Sequence, residues 1–522
     1  MKNYLNRYRF KNLLIADLSA SQQSALNISG ALIVVIINTC INFFLSPYIT
    51  EHLGVEANGY ITLANNFISY FGLITTALDS MAGRFMLISI RKNNYKEANE
   101  YYSSVLFGDW ILASILLIPV LVLIIKIDSF IQVSTGMIVD VQILFALVFF
   151  NFFFCLCLPK WANATYSTNR LYLRSIKTAT TTTIRALLIF VAYKYLPAFA
   201  FYVALGGVVA SILDKTIEYY YIRTLLPSLI IDIKSFHWGK IKTLVSSGIW
   251  NTVSQCGNIL LEGLDILIAN VFINPAMAGV LSLSKIVPNM INQIVGTIGT
   301  TFGPRLTQLF ADGDNDGMTK EIKAQIKIVS TIANIPIGGT IALGVQFFSL
   351  WVPSQDANLL VVLATLTLIG MLFSGVSNCL LNIFTATNKL KLNSIVVIAT
   401  GLLNILMVFI LLKTTNLGVL AVAGVSSFVS ILRIFIFVAP YSAKCVGQKP
   451  YAFLFPLIKG GINVIIPIVI GLGTRLIPGK GWIMFLIRCI IVGVLTLIID
   501  FALVLNKRER EACMGIVRRK KS

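Results

Sequence analysis

Charged residues are scarce in this sequence. Asp, Glu, Lys and Arg make up 12% of its 522 residues, and 57% of the residues are hydrophobic. A soluble domain carries about 25% charged residues, so this chain has too few polar groups to cover a water-facing surface. Long stretches without charge separate the charge clusters, and a membrane-spanning helix needs about 20 mostly apolar residues. The composition argues against a soluble enzyme and predicts an all-α, polytopic integral membrane protein.

Residues that bind metals or carry catalysis are also few. The only histidines are His52 and His237, and the eight cysteines form no C-x-x-C pair. Most cysteines fall in apolar runs, so we expect them to be reduced and buried. The sequence contains no Walker motif, G-x-S-x-G or HExxH, and no aromatic-basic motif for nucleic acid. We therefore predict a transporter without metal or cofactor, and leave coupling to H+ or Na+ open.

Apolar stretches predict about fourteen membrane spans. They cover 24–45, 59–78, 102–125, 137–158, 176–195, 198–213, 246–272, 276–302, 325–350, 358–381, 393–412, 417–439, 460–476 and 482–505. If both termini and the even-numbered connections share one side, that side holds 33 of the 42 Lys and Arg residues, and the opposite side holds five. The excess of positive charge predicts that both termini are cytoplasmic.

A short internal repeat suggests two related halves. Gly59 begins one inward-running span and Gly279 begins another 220 residues later, and each span leads to a cytoplasmic arginine, Arg84 or Arg305. An offset of six spans predicts two parallel six-helix lobes related by a pseudo-two-fold axis, with the substrate path between them. The predicted organisation is a basic N-terminus (1–23), a first lobe (24–223), a linker (224–245), a second lobe (246–441), helices 13 and 14 (442–505) and a basic tail (506–522).

Polar residues form stripes along two neighbouring spans. The seventh span carries polar residues in steps of four, three, four and three: Asn251, Gln255, Asn258, Glu262 and Asp265. The eighth carries Lys285, Asn289 and Asn292 in the same rhythm. Such spacing places the side chains on one helical face, which in a bilayer must contact protein or water.

We predict that the amides of both stripes and Lys285 line a substrate cavity. Glu262 and Asp265 would repel each other if both were ionised, which suits ion coupling or gating. An ion pair between Asp265 and Lys285 that locks the two spans together is the equally weighted alternative.

Arg185 lies near the middle of the fifth span. An arginine at the bilayer centre costs about 2.5–3.5 kcal/mol on insertion scales, so its presence requires a partner. A phosphate or acidic sugar in a central cavity is one candidate, and an internal carboxylate such as Glu262 is the other. At the cytoplasmic end, Asp79, Arg84 and Arg305 are candidates for the mouth of the pathway, where Asp79 and Arg84 form either a local ion pair or a docking site for a headgroup.

Three segments resemble a known family. The stretch from Pro47 to Tyr60, the sequence Leu264–Ile268 followed by Ala278-Gly279, and Gly303–Leu306 are similar to polysaccharide flippases of the O-antigen translocase (Wzx-type) class. This class belongs to the multidrug/oligosaccharidyl-lipid/polysaccharide exporter superfamily. The similarity in layout covers essentially the whole chain, and of the family's motif positions only Asp265, Gly279 and Arg305 match residue by residue.

The resemblance implies a flippase of the bacterial inner membrane. Its substrate would be an undecaprenyl-pyrophosphate-linked oligosaccharide, carried to the outer leaflet by alternating access. The implied partners are the lipid-linked substrate and membrane lipids, with a polysaccharide polymerase and a chain-length regulator as candidates. Alternatives are an ion-coupled drug or cation antiporter and a lipid II flippase of the same superfamily, a membrane-bound glycosyltransferase or polymerase, and an assembly subunit.

Overall fold

In a computed structural model the chain is helical, and the part that the structure describes contains no β-strand. The structure describes residues 20–503 apart from 160–164, 166–167, 169, 302–305, 307, 311 and 388. The basic tail at 506–522, most of the basic N-terminus and Arg305 therefore lie outside the described residues.

The described helices differ widely in length. They are α1 (Ala20–Leu53), α2 (Val55–Arg91), α3 (Tyr95–Ile125), α4 (Ile127–Phe130), α5 (Ile138–Cys157), α6 (Leu171–Tyr195), α7 (Phe201–Leu225), α8 (Trp238–Asn258), α9 (Asp265–Phe272), α10 (Pro275–Ser284), α11 (Ile286–Thr301), α12 (Asn315–Trp351), α13 (Ala357–Ala386), α14 (Leu390–Thr414), α15 (Val419–Arg433), α16 (Ala439–Cys445), α17 (Leu454–Ile462), α18 (Ile465–Thr474) and α19 (Gly481–Leu503). A 3-10 turn covers Ile233–Ser235, and π-helical segments cover Ile259–Gly263 and Ile434–Val438.

Ten helices of the described chain are long and apolar enough to cross a membrane, and a bent helix raises the number to eleven. All fourteen predicted spans overlap helices, but the count of fourteen is not confirmed. The three spans that fall short are α6, α7 and the interrupted helix formed by α10 and α11. Charged side chains explain α6 and α7, since Lys177, Arg185, Asp214 and Glu218 lie on them.

Two breaks interrupt the helices that carry the polar stripes. The π-helical segment Ile259–Gly263 separates α8 from α9, and the chain bends there by 46°. The second break lies at Lys285, between α10 and α11. Pro288 has no N–H to donate to the carbonyl of Ser284, which accounts for the interrupted helix at this point.

The helices form two compact units, Met1–Ile259 with Gly263–Gly279 and Leu260–Glu262 with Val280–Ser522. In the first unit α2 packs against α3 and α8, while α6 packs against α1 and α7. Gly248 on α8 lies so close to the carbonyl of Ala77 on α2 that an added methyl group would overlap it. Leu78, Met86 and Leu244 form part of the buried core between these helices.

The second unit is built around α12. This helix packs against α13, α18 and α19, and α13 packs against α15. Buried apolar side chains, among them Ile322, Ile326 and Phe453, form its main core. The Nδ2 of buried Asn334 on α12 donates a 2.7 Å hydrogen bond to the carbonyl of Gly460 on α17. The helices from α17 onward are thus attached to the second unit, while the predicted lobe limits and pseudo-symmetry stay predictions.

Candidate functional site

Arg185 lies on α6 against a pair of glycines on α7. Its Cγ is 3.5 Å from the position that a methyl group would take on Gly206, and its Cζ is 3.9 Å from the corresponding position on Gly207. The two glycines leave room for the guanidinium between the helices. Nη2 donates a long hydrogen bond of 3.4 Å to the carbonyl of Val203. The buried Nε has no hydrogen-bond partner among the described residues.

No carboxylate of the same unit pairs with Arg185 within the described ranges. A guanidinium in an apolar setting is stable only where an anion or several hydrogen bonds offset its desolvation. The protein itself supplies one weak hydrogen bond. The arrangement therefore leaves donors of Arg185 for an anionic ligand.

A buried ion cluster joins α6 to α7 two turns away from Arg185. The Nζ of Lys177 lies 2.7 Å from Asp214 Oδ2 and 2.6 Å from Glu218 Oε1, and the Nζ of Lys215 lies 2.8 Å from Glu218 Oε2. Lys177 and Glu218 are each 5% exposed. Two cations and two carboxylates satisfy one another here, so this cluster holds the hairpin together instead of facing a ligand.

The amide stripe of α8 remains accessible. Gln255 and Asn258 are exposed and Asn251 is half-buried. Asn258 Nδ2 donates a 3.2 Å hydrogen bond to Gln255 Oε1, which leaves the other donors and acceptors of this pair free to bind hydroxyl groups. These three predicted cavity residues share one helical face.

Asp265 differs from the rest of its predicted stripe. It is 1% exposed at the start of α9, whereas Glu262 is exposed. The π-helical segment and the 46° bend lie between the amide stripe and Asp265, and an extra residue in a helical turn rotates every later position around the axis. Tyr70 lies beside this bend, and its hydroxyl donates a 2.7 Å hydrogen bond to the carbonyl of Gly263. The bend thus has a dedicated hydrogen-bond partner in the first unit.

Glu262 and the backbone carbonyls just before it accept hydrogen bonds from side chains on α14 and α15. Ser430 Oγ of α15 donates a 3.3 Å hydrogen bond to Glu262 Oε1, and the guanidinium of Arg433 attracts the same carboxylate. Asn404 Nδ2 donates to the carbonyls of Leu261 at 2.9 Å and Leu260 at 3.3 Å. A π-helical turn leaves such carbonyls without a regular helical donor, and Asn404 replaces it.

Lys285 occupies the break between α10 and α11. It is half-buried, and Asn289 and Asn292 on the following turns are exposed. The three predicted cavity residues of this stripe therefore lie along one accessible face, which begins at the interruption in the helix. The ion pair between Lys285 and Asp265, the alternative to a cavity-lining role, stays a prediction.

The structure describes two of the three residues that were predicted to form the cytoplasmic mouth. Asp79 is half-buried and Arg84 is exposed near the end of α2, which continues to Arg91. Arg305 lies outside the described residues. Whether these side chains meet a substrate stays a prediction.

Sequence reasoning missed several electrostatic interactions between charged residues. Arg433 is 9% exposed on α15, facing Glu262, and Lys177 joins Asp214 and Glu218. Arg433 is a charge inside an apolar run, which was a usable signal. Lys177 and Glu218 lie at similar sequence distances from the turn between α6 and α7, and Asp214 lies one helical turn before Glu218. This relation becomes visible once the two helices are paired.

The chain was compared with known proteins and with solved structures, and the structures identify its fold. No protein-family model matches the chain. A curated relative, the uncharacterized membrane protein EpsK of Bacillus subtilis (strain 168), is 24% identical over 432 residues, which cover 82% of this chain and 85% of that protein. That identity and coverage indicate a relative of similar length and layout.

Two solved transporters share the architecture. The lipid II flippase MurJ in an inward closed conformation matches with a TM-score of 0.66 and 16% identity, over 91% of this chain and 97% of that one. An inward-facing multidrug resistance MATE transporter of the MOP superfamily matches with a TM-score of 0.59 and 12% identity, over 84% of this chain and 98% of that one. The chain has the fold of these transporters. Together with its apolar helices, this fold makes it a multi-pass membrane protein.

Proposed function

We propose that this protein is a flippase for an undecaprenyl-pyrophosphate-linked oligosaccharide, the repeat unit of an O-antigen or another surface polysaccharide. The observation that carries the proposal is the buried Nε of Arg185, which has no hydrogen-bond partner within the described chain. A pyrophosphate would accept from this guanidinium in the forked geometry that arginine offers to phosphate oxygens. Binding would offset the desolvation of the cation.

The amide stripes support a sugar-bearing substrate. Four amide side chains of the stripes are exposed: Gln255 and Asn258 on α8, and Asn289 and Asn292 on α11. Amides offer both donors and acceptors, which is the chemistry that hydroxyl-rich sugars require. An apolar drug would leave these groups without partners and would lose affinity in consequence.

The fold supports transport of a lipid-linked or amphiphilic molecule without choosing the substrate. A lipid II flippase is one alternative, because MurJ has this fold. A drug or cation antiporter is the other, because the MATE transporters have it too. The intramembrane cations Arg185 and Lys285 favour an anionic substrate over a cationic one.

The remaining parts of the proposal follow from charge and family resemblance. We place the protein in the bacterial inner membrane with both termini in the cytoplasm, on the side that carries most Lys and Arg residues. Glu262 and Asp265 would couple transport to H+ or Na+, and no other cofactor is proposed. Membrane lipids, a polysaccharide polymerase and a chain-length regulator are the proposed partners. Fusing a periplasm-sensitive reporter to either terminus tests the orientation, and activity of that reporter would refute it.

Flipping of a fluorescent lipid-linked glycan in proteoliposomes tests the function. The assay measures the fraction of label that becomes accessible to a quencher outside the vesicle. We expect wild-type protein to flip the undecaprenyl-pyrophosphate glycan, and Arg185→Ala to reduce the rate at least tenfold. Arg185→Lys keeps the charge but loses the fork, so its rate should lie between the two.

The matched control is Arg174→Ala, because Arg174 is an exposed arginine on the same helix α6. It should flip the glycan at the wild-type rate. Efficient export of a cationic dye with no glycan flipping would refute the proposal in favour of an antiporter. Flipping of lipid II with no transfer of other glycans would narrow the substrate to the first alternative.

A further inference from the structure

A cavity of about 400 Å3 lies between α12 and α17 in the second unit. It is formed by the N-terminal part of α12, which is 37 residues long, and by the short helix α17. A span needs about 20 residues, so the first turns of α12 extend beyond the hydrocarbon region. The cavity therefore lies near one membrane surface, on the side with the excess of Lys and Arg.

Four lysines line this cavity. Lys320, Lys323 and Lys327 follow one another at intervals of three and four residues along one face of α12, and Lys459 faces them from α17. No acidic residue is present among the described lining residues. Lys320, Lys323 and Lys459 make no ion pair with any residue that the structure describes. Like charges repel one another, so these three unpaired lysines favour the binding of an anion.

The carboxylates on neighbouring turns are already engaged. Gln325 Nε2 donates a 3.1 Å hydrogen bond to Glu321 Oε1, and Gln448 Nε2 donates a 3.3 Å hydrogen bond to Asp316 Oδ1. Each carboxylate thus has a hydrogen-bond donor other than a lysine.

A buried hydroxyl at the base of the cavity points to a ligand independently. Ser330 lines the cavity and is 2% exposed, yet its Oγ has no hydrogen-bond partner among the described residues. Gly460 lies opposite, and a methyl group there would overlap this Oγ. A buried hydroxyl without a partner carries a desolvation cost that a bound acceptor removes. A phosphate oxygen would accept from Ser330 while the lysines neutralise its charge.

The rim of the cavity is apolar. Phe455 lines it and is 72% exposed, and Ile462 at the end of α17 is 56% exposed. In a membrane protein such side chains face lipid acyl chains. A free phosphate ion would make no contact with this apolar surface. A phospholipid, in contrast, places its headgroup among lysines and its acyl chains along apolar residues.

We propose that this cavity binds the phosphate headgroup of an anionic phospholipid from the surrounding leaflet. The site lies outside the polar stripes and the environment of Arg185. It is distinct from the proposed transport site and needs no flipping activity to be tested. A bound lipid would fix α17 against α12 by joining Lys459 to the lysines on the longer helix.

Native mass spectrometry of the full-length protein tests the assignment. Protein in detergent is titrated with phosphatidylglycerol or with phosphatidylcholine, and the bound lipids are counted. We expect a phosphatidylglycerol adduct that phosphatidylcholine does not form. The double variant Lys323→Gln/Lys459→Gln should weaken it by about tenfold or more, because each lysine near a lipid phosphate contributes measurably to binding. Ser330→Ala should weaken it by about threefold.

The matched control is Lys234→Gln/Lys242→Gln, which removes two exposed lysines from the connection before α8 and from α8 itself. It should bind phosphatidylglycerol like the wild type, and thermal unfolding should show that all variants are folded. Unchanged binding by Lys323→Gln/Lys459→Gln would refute the site. Displacement of phosphatidylglycerol by low millimolar inorganic phosphate would refute the lipid assignment and indicate a site for free phosphate.

Discussion

Gly59 on α2 and Gly279 on α10 lie in contact, although 220 residues separate them in the chain. A methyl group on Gly59 would lie 3.0 Å from the backbone nitrogen of Gly279, and a methyl group on Gly279 would overlap the carbonyl of Val55. The two glycines of the internal repeat therefore allow two backbones to approach more closely than any side chain permits. Their recurrence in the sequence has a packing reason.

We expect Gly279→Ala to destabilise the protein by about 1–3 kcal/mol, because the new methyl group must displace the backbone at Val55. Thermal unfolding in detergent measures the effect. Gly296→Ala is the matched control, since Gly296 lies on α11 with no atom near its added methyl group. A melting temperature of Gly279→Ala equal to that of Gly296→Ala would contradict the close contact.

The ion cluster between α6 and α7 predicts a large effect of removing its central cation. Lys177→Met would leave the half-buried Asp214 and the buried Glu218 without their shared partner, and breaking a buried ion pair costs about 3–5 kcal/mol. We expect a strongly lowered unfolding temperature, with Arg174→Met on the exposed side of α6 close to wild type. If Lys177→Met melts like Arg174→Met, the cluster contributes nothing to the stability of the hairpin.

Asn404 predicts a smaller effect at the π-helical segment. Asn404→Leu removes the donor to the carbonyls of Leu260 and Leu261, and an interhelical hydrogen bond within a membrane is worth about 0.6–1.7 kcal/mol. We expect a loss of stability of that size by thermal unfolding. Asn289→Leu changes an exposed amide on α11 and should have little effect on stability. Equal melting temperatures for the two variants would mean that the carbonyls find other donors.

Replacing both candidate coupling carboxylates tests their role in transport. Glu262→Gln/Asp265→Asn keeps the shape of both side chains but removes their ability to exchange a proton. We expect glycan flipping by this variant to be insensitive to an imposed pH gradient that accelerates the wild type. The control is Asp128→Asn, an exposed carboxylate on α4. A variant that still responds to the gradient like Asp128→Asn would exclude both carboxylates as the coupling site.

Hydropathy placed the helices well because each span must be apolar over the thickness of a bilayer. The charge distribution predicts the alternation of sides, since lysines and arginines gather at the termini and in the even-numbered connections. The count was less secure, because α6 and α7 carry charges that pair with each other and not with solvent. A hydropathy pattern cannot show that Lys177 is neutralised by Asp214 and Glu218 on the next helix.

The functional residues were predicted less completely for a related reason. The spacing of Asn251, Gln255 and Asn258 was sufficient to place three amides on one face, because α8 is regular there. Asp265 could not be placed by the same rule, since the π-helical segment shifts the helical phase after Asn258. Arg433 comes near Glu262 only through the tertiary packing of α15, which the local sequence pattern does not show. Local periodicity fails at the points where a helix is irregular, and Glu262 and Lys285 lie at two such points.

The pairing of α6 with α7 also bears on how the chain enters the bilayer during synthesis. Neither helix partitions well into lipid alone, since one brings Lys177 and Arg185 and the other brings Asp214, Lys215 and Glu218. Five residues connect them, and contact between them cancels most of this charge. We therefore expect the translocon to release the two segments as one hairpin. Glycosylation mapping should find α6 inserted when α7 follows it, and left outside the membrane when α7 is deleted.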